Sequence, residues 1–291
     1  MAFSSADLFA AGVGENYQDH IRVSNAYRLK ENQTSTDPLI YDNQGKMATE
    51  QLGLWMDKKA SLYDLTSSAY SFVNWRQATA NETTDAQLLR LAQADAGPTP
   101  GAVDRKKLDF LQDASVPALE IVMENNYVGE KGYPGGAFIT IIATLMHPLS
   151  RGSVHVGPKA PHNPTIDPRY LSKAHDVRGL VEAAKFARRI AETEPMRSLW
   201  ASEFEPGPEV KTDEQWRSFV VKAMESFYHP VGTSALLPEK DGGVVGPNLV
   251  VYGTANLRVV DASIIPVILS AHPQTAVYGI AEVAAQKIIQ T

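Results

Sequence analysis

Three short blocks near the end of the chain constrain its fold more than any other feature. They are His229–Thr233, Leu257–Ser263 and Ser270–Thr275. The first holds a histidine in a Pro-Val-Gly turn, the second is an apolar run that ends in an acid, and the third sets a second histidine directly before a proline. Proline is favoured at the first position of a helix, because it has no N–H to leave unpaired there. The blocks therefore predict a loop, a strand end and a helix start gathered around one site.

Taken in this order, the blocks resemble the C-terminal signature of the glucose-methanol-choline (GMC) oxidoreductases, which are flavoenzymes that oxidise alcohols. Further segments similar to family motifs are Gly12–His20, with Tyr17 where leucine is usual, His147–Val154 and Ile166–Leu171. The resemblance runs from Gly12 to Ile289. The Ala271–Gln274 run favours the fungal aryl-alcohol oxidase and secondary-metabolite branch, which implies an aromatic or hydrophobic alcohol as substrate.

One family feature is missing from this sequence. GMC enzymes normally begin with a strand, a G-x-G-x-x-G turn and a helix, because the glycines let the backbone approach the pyrophosphate of FAD. No G-x-G-x-x-G occurs here. We therefore expect an α+β chain: an antiparallel-sheet substrate domain with flanking helices, plus the C-terminal part of a Rossmann-like FAD-binding domain whose N-terminal half is absent. The expected boundaries are 1–20 for a remnant of the FAD-binding domain, 21–226 for the substrate domain and 227–291 for the segment with the histidines.

Composition narrows the class of protein. The net charge of −6 argues against nucleic acid as the main partner, and without a run of eighteen apolar residues no membrane span is predicted. The chain has no cysteine, so disulfides and thiolate metal ligands are excluded, and no metal site is predicted. It begins with no recognisable secretory signal, yet Asn32–Thr34 and Asn81–Thr83 are glycosylation sequons. Localisation is therefore left open, a secreted parent included.

Hydrophobic patterning predicts the elements that carry this site. Strands are expected at Ile21–Leu29, Ala137–Leu145, Ser153–Val156, Leu249–Tyr252 and Leu257–Val260, with the second and third as an antiparallel pair. Helices are expected at Thr49–Lys59, Asp85–Ala94, Arg105–Asp113 and Asp176–Glu192, from a Thr212 cap to about Phe227, and after Pro273. The last helix is expected to bury one face, formed by Val277, Ile280, Ala281, Ala284 and Ile288.

Alcohol oxidation needs a base near the hydroxyl oxygen, because a hydride leaves the carbon more easily once the hydroxyl proton is leaving. A neutral histidine suits this role, since its ordinary pKa is about 6.5. The resemblance implies His229 as this base and His272 as the second residue at the same oxygen. Either histidine alone would more often be a hydrogen-bonded structural residue.

The resemblance also implies FAD as the cofactor. A helix N-terminus at Pro273 would stabilise the negative charge that a flavin gains on reduction. Contact with the isoalloxazine is implied for Pro273, Gln274 and Thr275, and contact with the ribityl-pyrophosphate region for Asp261 and Ala262. The alternative role of Asp261 is to cap a turn. The aromatic residues that are candidates for the substrate pocket are Tyr228, Tyr63, Phe72 and Trp75, although packing under a loop is the commoner role for such a stretch.

Three functions stay open from the sequence. The first is an FAD-dependent oxidoreductase that acts on a small-molecule alcohol, the second a truncated homologue that does not hold FAD by itself, and the third a non-redox lyase or cyclase on the same scaffold. Without a nucleotide-binding sheet to pack on, Val250, Val251, Val259 and Val260 are expected to expose apolar surface. We therefore expect low stability or self-association of this chain alone.

Overall fold

The computed structural model describes residues 11–65, 69–157 and 160–290. Residues 1–10, half of the expected remnant of an FAD-binding domain, lie outside the described residues. The helices of the described part are α1 (Asp37–Tyr41), α2 (Lys46–Met56), α3 (Trp75–Thr79), α4 (Glu82–Ala96), α5 (Ala102–Gln112), α6 (Ala174–Glu192), α7 (Asp213–Ala223) and α8 (Gln274–Ile289). The strands are β1 (Ile21–Leu29), β2 (Ala69–Val73), β3 (Leu119–Glu124), β4 (Phe138–Leu145), β5 (Ser153–Gly157), β6 (Ala160–Asp167), β7 (Trp200–Glu205) and β8 (Glu225–Ser226).

One antiparallel sheet organises the molecule, with strand order β2-β3-β4-β1-β7, and β8 pairs with the beginning of β1. Ile21 lies opposite Leu145 of β4 on one side and Ser226 of β8 on the other. Strands β5 and β6 form a separate two-stranded ribbon. The predicted α+β class with an antiparallel sheet is therefore confirmed. Among the described residues, no helix has the length and apolarity needed to cross a membrane.

The hydrophobic core lies between one face of this sheet and α6. Ile21, Val23 and Tyr27 alternate along β1 and join a buried cluster with alanines and Leu180 of α6. Alanines at the contact let the helix approach closely enough for Asn25 to donate a hydrogen bond to the Ala184 carbonyl at 3.1 Å. The helix that covers this face of the sheet, α6, is thus the one with the longest amphipathic repeat in the sequence.

The opposite face of the same strands is polar and also buried. Arg22 lies opposite Thr144, which in turn lies opposite Glu120, so the three side chains form one row across the sheet. Phe72 of β2 extends this row beyond Glu120. Burying this much polarity on a sheet is costly unless partners are present. This face therefore marks the side of the sheet that carries function.

Two predicted features at the ends of strands and helices are wrong. The expected antiparallel pair of β4 and β5 does not form, because Asp176 accepts the N–H groups of Leu149 and Ser150 at 2.7 Å and directs the chain away from β4. β4 pairs with β1 and β3 instead, and β5 pairs with β6. The helix after the Thr212 cap ends at Ala223 rather than Phe227, since the following residues pair with the edge of β1 as β8.

The C-terminal segment is less regular and more exposed than predicted. The expected strands at Leu249–Tyr252 and Leu257–Val260 are reduced to isolated bridges, such as Val250 with Arg258. Of the expected buried face of α8, Ala284 is buried, Val277 and Ile280 are half-buried, and Ala281 and Ile288 are exposed.

The expected site of apolar exposure is also wrong. Val251 is buried in a cluster with Val245 and Ile264, and Val250, Val259 and Val260 are half-buried. Exposed apolar side chains are found on α8 instead, where Tyr278 is 73% and Ile289 85% exposed. The helix packs on the C-terminal loops along a narrow line, which leaves most of its apolar circumference open.

Candidate active site

His229 lies in an extended segment that is clamped to the chain before β1. Gln18 and Val231 exchange both of their backbone hydrogen bonds, at 2.9 and 2.8 Å, and the N–H of Phe227 donates to the His20 carbonyl at 2.8 Å. These bonds hold the residues on either side of His229. Two distant parts of the sequence, near residues 18–20 and 227–231, therefore build this part of the site together.

Asp19 ties the same two segments together through its side chain. Its Oδ1 accepts the backbone N–H of His229 at 2.8 Å, and its Oδ2 accepts the hydroxyls of Tyr170 at 2.6 Å and Ser226 at 2.5 Å. Asp19 is buried. Three donors on one buried carboxylate fix the backbone of His229, because each charge-assisted bond is stronger than a neutral one.

His272 is held by a carboxylate of the sheet. It lies two residues before the start of α8, and its Nε2 is 2.8 Å from Oε1 of Glu120 in β3. Glu120 is fully buried, and burial raises its pKa while the neighbouring His272 opposes the rise. Within the described chain the other carboxylate oxygen, Oε2, has no hydrogen-bond partner. The sheet thus orients the second histidine through one of its own polar side chains.

The two histidine rings face each other, with centroids 4.7 Å apart. Burial and, to a smaller extent, the neighbouring His272 lower the pKa of His229 to about 4, while Asp19 opposes the shift. The ring of Phe227 lies 5.1 Å from that of His229 and 5.5 Å from that of His272, and the Tyr70 ring lies edge-on to His272 at 5.7 Å. The pair is therefore a neutral imidazole and a second histidine ring, with aromatic side chains around them.

An open cavity of about 680 Å³ borders the histidines. Of the predicted site residues it is lined by Tyr228, His229, Ala262, His272, Pro273 and Gln274, together with Pro230, Val277, Tyr278 and Ala281. Thr275 and Asp261 do not line it. The Asp261 carboxylate instead caps the turn Ala262–Ile264, accepting the Ser263 N–H at 2.8 Å. A larger cavity of about 830 Å³ lies beside Glu15 and Arg151, and no predicted site residue is among those that line it.

The four aromatic pocket candidates separate in the structure. Tyr228 lines the cavity in a left-handed conformation, with φ 61°. Phe72 is half-exposed and pairs with Glu120, on the sheet face that holds His272. Tyr63 is on a 3-10 turn, Leu62–Asp64, and is not one of the residues that line the cavity. Trp75 is buried in the core on the other side of the sheet, against Gly179 of α6, because its large ring fills the space opposite a residue without a side chain.

Residues 148–281 match the sequence model of the GMC oxidoreductase family. A GMC oxidoreductase family protein of Malassezia sympodialis, Mala s 12, is 35% identical over 279 residues. The alignment covers 96% of this chain and 43% of that protein. The chain therefore carries, over residues 148–281, the C-terminal domain of the GMC oxidoreductases.

Solved structures of GMC-type proteins superpose on the chain as a whole. An FAD-dependent oxidoreductase from Chaetomium thermophilum has a TM-score of 0.80 at 26% identity, and a fungal aryl-alcohol oxidase has 0.76 at 30% identity. Each comparison covers 96% of this chain and 48% of the other. The chain thus spans about half the length of the relatives that it matches.

Sequence reasoning missed several residues at this GMC site. His20 and Asp19 were inside the Gly12–His20 motif but were given no role, although a buried Asp-His pair was readable there. Glu120 could have been noticed as the one acid within the apolar run Leu119–Met123. Tyr70 and Phe227 carried no comparable signal, since their contacts with the histidines depend on how β2 and β8 join the sheet.

Proposed function

We propose that this chain supplies the alcohol-binding and proton-accepting part of an FAD-dependent oxidoreductase that acts on CH–OH groups. The observation that carries the proposal is the pair of histidine rings, 4.7 Å apart, at a cavity that also borders the start of α8. Family membership supports the oxidoreductase class. The histidine pair supports the kind of substrate, because an alcohol must lose one proton and one hydride to become a carbonyl compound.

His229 is the proposed base. With its pKa lowered to about 4, its ring is neutral at pH 7 and can accept the hydroxyl proton. As the O–H bond breaks, the proton bonds to the imidazole nitrogen, and the electron pair left on oxygen forms the C=O bond while the hydride leaves the carbon. His272, anchored by Glu120, is proposed to hold the same oxygen.

The residues at the cavity fit a flavin ring. No side chain caps α8, so the first N–H groups of this helix, of which Gln274 borders the cavity, are available to an electron-rich ring edge. Ala262 and Pro273 line the cavity without bulk. FAD, when bound, supplies the acceptor for the hydride. The glycine-rich turn that the family uses for the pyrophosphate is not in this sequence, so the FAD affinity of this chain is the first quantity to measure.

An aromatic or hydrophobic alcohol is the proposed substrate. Rings of Tyr70 and Phe227 lie within 6 Å of a histidine ring, and Tyr228 lines the cavity. Aromatic side chains bury large apolar area and favour edge-on or offset contact with another ring. A benzylic alcohol would place its ring among these side chains and its hydroxyl between the histidines.

The proposal is tested by the colour of the protein. The purified chain is incubated with FAD, desalted and titrated anaerobically with benzyl alcohol while the flavin absorbance is recorded. Three proteins are compared: the wild type, His229→Ala, and His155→Ala as control, since His155 is an exposed partner of Glu15 on the β5-β6 ribbon. We expect bleaching in the wild type and in His155→Ala, and its loss in His229→Ala.

Each other outcome overturns part of the proposal. Bleaching that survives in His229→Ala would remove His229 as base. A chain that stays colourless after incubation with FAD would overturn an autonomous flavoenzyme and favour the non-catalytic homologue. Retained FAD that no alcohol bleaches would favour the non-redox lyase or cyclase.

A further inference from the structure

His20 lies fully buried behind His229, on the side away from the cavity. Its Nδ1 is 2.9 Å from Nδ1 of His229, and its Nε2 is 2.8 Å from the backbone carbonyl of Leu269. The two rings meet edge-to-face, with centroids 5.1 Å apart and planes at 85°. His20 therefore joins the proposed base to the loop before α8 by a hydrogen bond at each of its ring nitrogens.

The protons on this chain of atoms can be assigned from hydrogen-bonding capacity. A carbonyl oxygen can only accept, so Nε2 of His20 carries the proton that bonds to Leu269. Burial lowers the pKa of His20 to about 3, so the ring is neutral at pH 7 and its Nδ1 carries a lone pair. The 2.9 Å contact then needs a proton on Nδ1 of His229. Since His229 is also neutral, its Nε2 is left unprotonated.

The groups around His20 do not reverse this assignment. His229, His147 and His272 all act to lower its pKa. The neighbouring carboxylate, Asp19, is engaged by the His229 N–H, Tyr170 and Ser226. Within the described chain, Nε2 of His229 makes no hydrogen bond, and His229 lines the cavity. A lone pair on this nitrogen is what a general base requires.

We propose that His20 is a positioning residue that fixes His229 in the Nδ1–H tautomer and so leaves the Nε2 lone pair free for the substrate. The inference rests on the proposed role of His229 as base and adds a cause for its protonation pattern. The nitrogen that a histidine uses is set by the hydrogen bond that its other nitrogen makes. Free neutral imidazole side chains favour the Nε2–H form, so without His20 the proposed base would carry its proton on the wrong nitrogen.

Two variants separate the two hydrogen bonds of His20. His20→Asn keeps an acceptor oxygen near the position of Nδ1, towards His229, and gives up the bond to Leu269. His20→Gln keeps an amide near the position of Nε2, towards Leu269, and gives up the acceptor for His229. The pair is matched in polarity and in the number of bonds lost, so a general loss of packing affects both.

The readout is long-range ¹H–¹⁵N NMR of the ¹⁵N-histidine-labelled chain at pH 7. It distinguishes the pyrrole-type nitrogen, which carries a proton, from the pyridine-type nitrogen, and it needs neither FAD nor turnover. Failure of the redox experiment would therefore leave this result intact, and the reverse also holds. We expect His229 to have pyrrole-type Nδ1 in the wild type and in His20→Asn.

In His20→Gln we expect the Nε2–H form of His229 to become the major one, with the backbone amide spectrum otherwise preserved. A wild type with a protonated Nε2 on His229 would overturn the proposal. So would a His20→Gln variant in which His229 keeps the same tautomer as in His20→Asn, because the acceptor at Nδ1 would then have no influence.

Discussion

Acid stability tests how the histidines around this site are held. His147 is almost fully buried, and its Nε2 lies 2.6 Å from the hydroxyl oxygen of Ser270. Burial and, to a smaller extent, the nearby Lys107 lower the pKa of His147 to about 3. In the unfolded chain the same side chain titrates near pH 6.5. Between these pH values the unfolded state binds more protons, so the contribution of His147 is present above pH 6.5 and is lost as the pH falls.

The size of the loss follows from this difference. Each pH unit below 6.5 costs about 1.4 kcal/mol per group, and pH 5 lies about 1.5 units below, so His147 costs about 2 kcal/mol at pH 5. His147→Gln replaces the titrating ring by a neutral amide that can still reach Ser270. Between pH 7 and pH 5, the free energy of unfolding should therefore fall by about 2 kcal/mol less in the variant than in the wild type.

The assay is urea unfolding followed by circular dichroism at both pH values. Each protein is compared with itself at the two pH values, so the cost of the substitution cancels. Burial raises the pKa values of Glu203 and Glu205, which therefore change the stability with pH in the opposite direction. Both residues are present in the wild type and in the variant, so their effect cancels when the two falls are compared. His162→Gln is the control, because His162 is exposed on β6 and its loss should leave the difference unchanged. An equal fall in the wild type and in His147→Gln would refute the reasoning.

Three further predictions concern two glycines, the exposed face of α8 and the carboxylate of Asp19. Gly152→Ala would place a Cβ 2.1 Å from the Asp167 carbonyl and cost about 1–3 kcal/mol, whereas Gly53→Ala, in open space on α2, should stabilise by roughly 0.5–1 kcal/mol. A thermal melt in which both variants shift the midpoint in the same direction would contradict this. The double variant Tyr278→Ser/Ile289→Ser removes two exposed apolar side chains of α8, so it should self-associate less than the wild type and sediment more as a monomer. An unchanged sedimentation coefficient would show that another surface is responsible for the association. Asp19→Ala should cost about 3 kcal/mol in urea unfolding, since it leaves three donors unpaired, and an unchanged midpoint would contradict its bridging role.

Local sequence patterns predicted a helix or strand well where interactions within that element determine its structure. The alternation of Ile21–Leu29 marks β1, and Thr212 with Gln215 forms the capping box of α7. The motif at His229 and the one at His272 both reach the same cavity. In each case the deciding interactions lie within a few residues, where sequence periodicity and capping chemistry can be read directly.

The parts that could not be predicted depend on distant partners. Strand β5 pairs with β6 rather than β4 because of Asp176. The two residues that donate to its carboxylate, Leu149 and Ser150, lie more than twenty positions before it in the chain. Trp75 reads as a pocket residue beside Phe72, yet α3 turns it into the core opposite Gly179. The link from His20 to His229 joins residues 209 positions apart. Contacts of this range follow from the sheet topology, which no local pattern encodes.

The rate of anaerobic flavin bleaching by benzyl alcohol, measured against pH in the FAD-loaded chain, tests the central claim most directly. If His229 is the base, the wild-type rate should stay constant near neutral pH and fall as the pH is lowered through about 4, where this ring gains its proton. His229→Ala should be slow throughout, without this fall. Equal rates in the two proteins, or a wild-type rate that does not decline in acid, would contradict the account.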